Sequence, residues 1–324
     1  MSSPAWSEGK RTAAEVLAAL AELAERLGQC TNLDDVLTTS LKMLDTRFHL
    51  PHSMFLMLDE TGSALYTIAS HGYDRAGIGS EVPVGAGVIG AAASHRRPMR
   101  IGNLSIMIGY GRAIRESVDP DGVGTEIALP GLSAAASQLA APSLVSNQLL
   151  GVLAVESEHL GAFTEVDESL LSVVAHVIAS AIELDRVAGE ADASPPGARN
   201  DQRTMRRGCD ESAEHAVIRF FPVDGSTFLD GEYLIKGVAG RILWRLLNDN
   251  QADGRTEFTN REVRLDRSLD LPAYRDNLES RLVLLQRRLD ERQAPVRIRK
   301  TGRGKFCLEL EVASLTLELI DQQC

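Results

Sequence analysis

A segment near the middle of the chain is too poor in large apolar side chains to belong to a folded core. Residues 187–212 read VAGEADASPPGARNDQRTMRRGCDES. Such a segment cannot bury enough surface to offset the entropy that is lost when it becomes ordered. The 324-residue chain is therefore predicted to contain two domains, at residues 12–187 and 215–320, joined by a flexible linker at 188–214.

Charge is distributed unequally between the two predicted domains. The chain has a formal charge of −11, and its first 200 residues hold 13 basic and 24 acidic residues. Residues 241–305, in contrast, hold 16 basic and 10 acidic residues. A cationic region in an acidic chain points to nucleic acid or another polyanion as the partner of the second domain. The alternative at this point is a solvated cationic surface that has no partner.

The composition excludes several classes of protein. Apolar residues make up 44% of the chain and charged residues 24%, as is typical of soluble globular domains. No apolar stretch reaches the roughly 20 residues that cross a bilayer, and the N-terminus has no basic region followed by an apolar block. We therefore expect no membrane interaction and a cytoplasmic location. The four cysteines form no C-x-x-C pair and are expected to be reduced thiols.

Three helices are predicted in the second domain. In ILWRLLNDN, residues 242–250, apolar residues recur at helical spacing. Thr259 and Glu262 then have the spacing of a capping box, in which the hydroxyl accepts from the Glu262 amide and the carboxylate from the Thr259 amide, so a short helix is predicted to begin near Asn260. The short helix is predicted to end before Leu271, because Pro272 disfavours helical geometry in the residue before it. Pro272 is also well suited to the first turn of the third helix.

The third helix, AYRDNLESRLVLLQRRLDER, has two different faces. A leucine stripe with i, i+4, i+7 and i+11 spacing is predicted to face the core. Its members are Leu278, Leu282, Leu285 and Leu289. The opposite face carries side chains that can contact DNA. Arginine can contact guanine or phosphate, asparagine can contact adenine, and leucine can contact the thymine methyl group. The residues of this face are Asn277, Ser280, Arg281, Leu284, Arg287 and Arg288. The pattern is typical of a recognition helix, although an exposed basic helix surface would share it.

A basic hairpin is predicted after the third helix. VRIRK and KFCLELEV alternate apolar and polar residues as strands do, and TGRG joins them with glycines that permit a tight turn. The hairpin carries Arg299, Lys300, Arg303 and Lys305. Its tip could approach a phosphate backbone or a narrow minor groove while the preceding helix lies in the major groove. This order of elements is that of a winged helix-turn-helix.

Residues 216–318 resemble the winged-helix effector domain of response regulators of the OmpR kind. The resemblance rests on HAVIRFFPVDGSTFLDGEYLIKG, LWRLL, NREVRLD, NLESRLVLLQRRL and IRKTGRGKFCLEL. TGRGKF keeps the glycine spacing of that family but has Phe306 where the family has tyrosine. The resemblance implies binding of double-stranded DNA through Arg281, Arg288 and Arg303.

The first domain resembles the GAF domain family over about residues 12–187. The resemblance rests on GAGVIGAAASHRRPMRIGN, LLGVLAVES and FTEVDESLLSVVAHVIASAIE. It implies an α+β fold in which a curved antiparallel sheet has helices on one face and a ligand cavity on the other. It also implies a homodimer formed by the flanking helices. The candidate contact residues of these helices are Val16, Leu20, Leu23 and Leu27, and Leu170, Val174, Val177, Ala181 and Leu184.

The candidate pocket residues lie in the predicted sheet, at its helix ends and in a long glycine-rich loop that has the character of a lid. They are Phe55, Tyr66, His71, His95, Met107, Tyr110, Arg112 and Glu126. Five of them have a specific simpler interpretation, since Phe55 and Tyr66 suit a core, the two histidines suit solvent and Met107 suits ordinary packing.

The cofactor is left open by the sequence. The GAF resemblance implies cyclic nucleotides, bilins, haem or small metabolites as ligands. Cys30 lies in the first helix and is poorly placed to hold a bilin, whereas the sequence neither proves nor excludes an axial histidine for haem. The paired sheet cysteines of the free methionine sulfoxide reductases that share this fold are absent here.

Two functions are predicted in order of preference. The first is a one-component transcription regulator that senses a small molecule or another signal. The alternative is a signalling adaptor whose winged helix binds a protein such as RNA polymerase. No enzyme activity is expected, because the sequence has no Walker A loop, G-x-S-x-G or H-E-x-x-H motif.

Overall fold

The computed structural model describes residues 13–104, 127–191, 215–269, 271, 278–302, 304–312 and 314–320. The elements of the N-terminal half are α1 (Ala13–Gly28), α2 (Leu33–Thr46), β1 (His52–Leu58), β2 (Ala64–His71), β3 (Glu81–Pro83), α3 (Gly87–His95), β4 (Met99–Ile101), β5 (Ser137–Val145), β6 (Gln148–Ser157) and α4 (Glu165–Ala191). Of the predicted linker, residues 188–191 belong to α4 and residues 192–214 lie outside the described residues.

The N-terminal half is built around one curled antiparallel sheet with the strand order β3-β2-β1-β6-β5-β4. Successive side chains of a strand point to opposite faces. In β1, Phe55 and Met57 pack into a cluster with residues of α1, α2 and α4, whereas Met54 and Leu56 pack with residues of α3. Helices therefore cover both faces of the sheet.

A close approach to a strand explains one small residue of α3, and backbone geometry defines the turn of one hairpin. Gly90 of α3 lies so near β3 that an added Cβ atom would be 2.3 Å from the Pro83 carbonyl oxygen. The predicted β5–β6 hairpin is present, with Ser146 and Asn147 at φ angles of 49° and 61°. The turn is thus one residue earlier than the predicted Asn147–Gln148, at two residues that adopt the left-handed geometry of a tight hairpin.

The helix positions proposed for dimer contacts pack largely inside the subunit. Leu23 of α1 and Leu170 and Val174 of α4 are buried in the core of the chain. Leu184, which is also among the proposed positions, is instead 70% exposed, and α4 also exposes Val166, Val173 and Val187. A heptad-like pattern alone does not separate packing on the subunit's own sheet from packing on a second subunit, and this is why the sequence selected buried residues.

The elements of the C-terminal half are β7 (His215–Phe221), β8 (Ser226–Leu229), β9 (Glu232–Ile235), α5 (Gly237–Asp253), β10 (Glu257–Thr259), α6 (Asn260–Leu265), a 3₁₀ turn (Arg267–Leu269), α7 (Leu278–Glu291), β11 (Val296–Gly302), β12 (Lys305–Leu310) and β13 (Ser314–Leu319). They form a four-stranded sheet, β13-β7-β8-β9, and a three-stranded sheet, β10-β12-β11. The last strand, β13, pairs in parallel with β7.

One aromatic contact joins the four-stranded sheet to a helix, and another lies within the three-stranded sheet. The rings of Phe220 in β7 and Trp244 in α5 stack with 4.9 Å between their centroids. In the three-stranded sheet, Phe258 and Phe306 stack at 5.8 Å. The predicted hairpin is present, since β11 and β12 pair in antiparallel fashion.

The local signals in the helical part are confirmed in most respects. The Thr259 hydroxyl accepts a hydrogen bond from the Glu262 amide at 3.3 Å, and α6 begins at Asn260. The Glu262 carboxylate, however, accepts a hydrogen bond from the Arg255 guanidinium, whereas a capping box predicts the Thr259 amide as its donor. The leucine stripe of α7 is buried as predicted.

The two halves share one hydrophobic cluster. It extends from Leu37 in α2 and Ile68 in β2 to Leu284 and Leu285 in α7. Helix α7 contacts α2, β2 and α4 of the N-terminal half. The helix that the sequence selects for DNA binding therefore lies at the junction of the two halves.

Candidate functional site

The outer face of α7, defined here as Arg281, Leu284, Arg287 and Glu291, is directed at the N-terminal half. These residues lie three to four positions apart, which places them on one side of a helix. Leu284 is 4% exposed and belongs to the cluster shared by both halves. The predicted contact residue Ser280, on the same side of the helix, is also buried.

Arg287 is held by four hydrogen bonds from its guanidinium to the N-terminal half. Its Nε donates to Asp34 Oδ1 at 2.7 Å, and its Nη2 donates to Thr38 Oγ1 at 2.8 Å and to the Asp34 carbonyl oxygen at 3.3 Å. Its Nη1 donates to the Ile68 carbonyl oxygen at 3.2 Å. An arginine fork is well suited to such a set of acceptors because its donors are fixed in one plane.

Arg281 has a charged and an aromatic partner in the N-terminal half. Its Nη2 lies 2.6 Å from Glu60 Oε2, and its Cζ lies 4.7 Å from the centroid of the Tyr66 ring. The residue is 9% exposed. A cation over an aromatic face gains more from the ring when water is excluded, so this contact favours the position of Arg281 that the structure shows.

Two further polar contacts join the halves at the edges of this junction. The Gly77 amide donates to Glu291 Oε1 at 2.9 Å. Lys236 Nζ lies 2.9 Å from Glu81 Oε2, and both of these side chains are substantially exposed. The junction therefore has a buried centre that contains charge pairs and an edge that is more exposed to solvent.

Arg288, predicted to contact DNA, is directed elsewhere. Its Nε donates to the Leu234 carbonyl oxygen at 2.8 Å, its Nη2 to the Tyr233 carbonyl oxygen at 3.3 Å, and its Nη1 to Glu291 Oε2 at 2.7 Å. The side chain is buried and joins α7 to β9 within the C-terminal half. Helical spacing placed Arg288 on the outer side of α7, but the adjacent β9 carbonyls bind it instead.

Three of the basic hairpin residues are balanced by neighbouring carboxylates. Arg297 pairs with Glu311 and Arg299 pairs with Glu309, at 2.9 and 2.8 Å. Lys300 pairs with Glu279 of α7, a buried carboxylate that also accepts from Asn260. Lys305 is exposed. Asn277 and Arg303, which the sequence also selects for DNA contacts, lie outside the described residues.

The four predicted pocket residues that the structure describes do not all lie on one face of the sheet. Phe55 and Tyr66 are buried on the sheet face that packs against α1, α2 and α4. His71 lies at the end of β2, where its Nε2 is 3.0 Å from Asp45 Oδ2 of α2. His95 is exposed at the end of α3, on the other face of the sheet. Met107, Tyr110, Arg112 and Glu126 lie outside the described residues.

A polar cluster that the sequence analysis missed lies on the α3 side of the sheet. Glu156 of β6 is 7% exposed and accepts hydrogen bonds from the Gln138 side chain at 2.9 Å and from the Leu132 amide at 3.0 Å. Burial raises the pKa of Glu156, while its hydrogen bonds with Leu132 and Gln138 act in the opposite direction. Burial also raises the pKa of the neighbouring Tyr73 phenol, whose ring packs against His52 at 5.6 Å between centroids.

Glu156 could have been selected from the sequence. In LLGVLAVES, Val152, Ala154 and Glu156 occupy alternate positions and so share one face of the strand. A carboxylate that continues an apolar face is a candidate for a buried polar role. A buried, protonatable carboxyl group can donate a hydrogen bond when neutral and bind a cation when ionised.

No group of His, Cys, Asp and Glu side chains suited to a metal ion is found among the described residues. Across that same part of the chain, none of the helices combines the length and apolar character of a membrane span.

Comparison with known proteins supports a GAF domain in the N-terminal half. Residues 30–183 match the family model described as "GAF domain". This match implies a signal-sensing role for that half of the chain. A comparison with curated proteins found no match.

Several solved structures are similar to the chain at low identity. The GAF domain from an Acinetobacter phosphoenolpyruvate-protein phosphotransferase has 19% identity over 56% of this chain and 100% of its own, with a TM-score of 0.45. The free methionine-R-sulfoxide reductase from Neisseria meningitidis, in complex with its substrate, has 21% identity over 56% of this chain and 96% of its own, with a TM-score of 0.44.

Proposed function

We propose that this chain is a transcription regulator that senses a signal through its GAF domain and binds double-stranded DNA through a C-terminal winged helix. The observation that carries the proposal is the arrangement of α5, β10, α6, α7 and the β11–β12 hairpin. A short capped helix precedes a longer arginine-bearing helix, and a basic hairpin paired with β10 follows it. In a winged helix the longer helix enters the major groove and the hairpin contacts the backbone beside it.

The proposed DNA surface consists of the outer face of α7 and the hairpin. Arg281 and Arg287 supply forks for bases or phosphates, and Lys305 is exposed at the start of β12. Arg288 is not part of this surface, because it binds carbonyl oxygens of β9.

The proposed sensor is the sheet face beneath α3. The buried carboxyl of Glu156, with Gln138 and Tyr73 beside it, offers a place where a small polar effector could be recognised. No cofactor is assigned to it. The proposed localisation is cytoplasmic.

We propose a homodimer that is formed through α4. Its exposed side chains Val166, Val173 and Leu184 lie on one face of the helix, and Leu184 is 70% exposed. A second subunit that covers this stripe would bury it and would place two DNA-binding regions on one duplex, as two half-sites require.

The DNA proposal is tested by titrating the full chain into a fluorescent duplex pool of random sequence at several salt concentrations. Binding should weaken as salt rises, because phosphate contacts release counterions. Lys305→Ala should reduce the slope of log K against log salt by about one. Arg219→Ala is the matched control, since Arg219 lies in β7 and pairs with Glu318. Binding that does not weaken as salt rises, or a slope that Lys305→Ala leaves unchanged, would contradict the proposal.

One observation favours the alternative of a signalling adaptor. Arg297, Arg299 and Lys300 of the hairpin are each paired with a glutamate, which reduces the field that this surface presents to phosphates. A mixed-charge surface of this kind suits a protein partner such as RNA polymerase. Association with RNA polymerase that is retained by the full chain when DNA binding is absent would favour this alternative.

A further inference from the structure

The face of α7 that would contact DNA is the face that contacts the GAF half. Arg281 and Arg287 both have their guanidinium groups on carboxylates of the N-terminal half, Glu60 and Asp34. A guanidinium that is bound in this way is not free to form a bidentate contact with a guanine or a phosphate. Leu284, between them on the helix, is buried by the same contact.

Space gives a second reason why the two contacts exclude each other. An α-helix with its side chains is about 10–12 Å wide, which nearly fills a major groove of about 12 Å. A helix in the groove must therefore present its whole outer face to the DNA. In this structure α2 and β2 occupy that side of α7.

We propose that this structure is a closed state in which Glu60 and Asp34 occupy the arginines of α7 in place of DNA, so that opening of the junction controls DNA binding. This inference rests on the proposed DNA-binding function. It adds that the GAF half is a direct competitor of DNA for one surface. The carboxylates stand in for the acceptor oxygens of the duplex, and a signal favours binding by weakening the junction.

The chain offers a way to open the junction without altering the proposed DNA surface. The double variant Glu60→Gln/Asp34→Asn removes one charge from each pair and changes only residues of the N-terminal half. The variant Glu22→Gln/Glu168→Gln is the matched control, because it also removes two carboxylates from this half, where they pair with Arg47 and Arg100. Both variants change the net charge equally, so a general effect of charge on DNA binding is cancelled.

The size of the expected effect follows from population arithmetic. DNA affinity is reduced by the fraction of molecules that are open. If each lost charge pair shifts the closing equilibrium about tenfold, which corresponds to about 1.4 kcal/mol, the double variant binds DNA up to about 100-fold more tightly than the unmodified chain. The charge-reversal variant Glu60→Lys/Asp34→Lys should open the junction further, since it places like charges opposite Arg281 and Arg287.

The experiment combines two measurements on the full chain and each variant. Hydrogen exchange over residues 278–291 reports opening of the junction, and anisotropy of the random-sequence duplex reports DNA binding.

The inference is supported if the opened variants exchange faster and bind more tightly while the control does neither. It is overturned, with DNA binding itself intact, if the unmodified chain and the opened variants bind the duplex equally. It is overturned together with the proposed function if the junction opens and no variant binds DNA. Unchanged exchange and unchanged affinity in the charge-reversal variant would show that these pairs do not hold the junction closed.

Discussion

The pair between Arg287 and Asp34 provides the most quantitative test of the junction. We consider the single variants Arg287→Ala and Asp34→Ala and the corresponding double variant. The Arg287 side chain is 17% exposed and that of Asp34 35% exposed, with 2.7 Å between Nε and Oδ1. The pair is therefore shielded from water on one side and open to it on the other.

The magnitude of the coupling follows from this partial burial. Two unit charges 4 Å apart at an effective dielectric constant of about 20 attract each other by about 4 kcal/mol. Desolvation of both groups offsets part of this attraction. We expect a coupling free energy of about 1–3 kcal/mol between the two residues, and a cost of about 3 kcal/mol for Arg287→Ala alone, because that change also leaves the oxygens of Thr38 and Ile68 without their donor.

The control cycle uses Arg219 and Glu318, which pair across β7 and β13 at 2.8 Å. Their side chains are 48% and 39% exposed, so their coupling should be about 0.2–1 kcal/mol. In both pairs an arginine Nε contacts a carboxylate oxygen at a similar distance, so a larger coupling in the Arg287–Asp34 cycle is expected from its greater burial.

Urea unfolding of the full chain supplies the free energies for both cycles. The hydrophobic cluster shared by the two halves leads us to expect one cooperative transition, and equal m-values across the variants would confirm that the same transition is compared. A coupling for Arg287 and Asp34 that is no larger than the control coupling would refute the assignment of a closed, partly desolvated junction.

Three further outcomes follow from other parts of the molecule. Because burial raises the pKa of Glu156, the stabilising contribution of this residue is present at low pH and is lost as pH rises through the folded-state pKa. Glu156→Gln should therefore raise the melting temperature at neutral pH more than at acidic pH. An equal shift at both pH values would contradict this expectation. Phe306→Ala should cost about 3–5 kcal/mol in urea unfolding, because it leaves a cavity beside Phe258, whereas Leu265→Ala, at an exposed position, should change stability by less than about 0.5 kcal/mol. Thr259→Ala should cost about 1 kcal/mol by removing the cap of α6, and restoration by Thr259→Ser would distinguish the cap from packing.

Features that depend on neighbouring residues could be predicted from the sequence. The start of α6 follows from a hydrogen bond between residues three positions apart, and the buried face of α7 follows from its leucine spacing. The β11–β12 hairpin follows from alternation and from the glycines of its turn. In each case the residues that determine the feature lie within a few positions of one another along the chain.

Features that depend on distant partners could not be predicted in this way. Arg281 and Glu60 are 221 positions apart, and Arg287 and Asp34 are 253 apart. The helical wheel separated the core side of α7 from its other side, but it carried no information on whether solvent, DNA or another part of the chain covers that other side. Arg288 illustrates the same limit, because its acceptors on β9 are set by the packing of the sheet against α7.

The candidate pocket shows how residue type can mislead. The sequence offers Phe55 and Tyr66 as candidate pocket residues of the sheet, yet strand register places them on the face covered by α1, α2 and α4. Glu156 lies on the opposite face and was passed over, although alternation within β6 assigned it there. Counting the strand positions from a residue of known orientation would have separated the two faces.

The central claim, that DNA and the GAF half compete for one face of α7, is tested most directly at Gly77. Its amide donates to Glu291 across the junction, so its hydrogen exchange reports directly on that contact. Exchange of the full chain should be followed with and without a saturating duplex pool of random sequence, with the Val217 amide, bound by Asp230 within the C-terminal half, as internal reference. We expect DNA to accelerate exchange at Gly77 and to leave Val217 unchanged. Protection at Gly77 that persists while the duplex is fully bound would contradict the account.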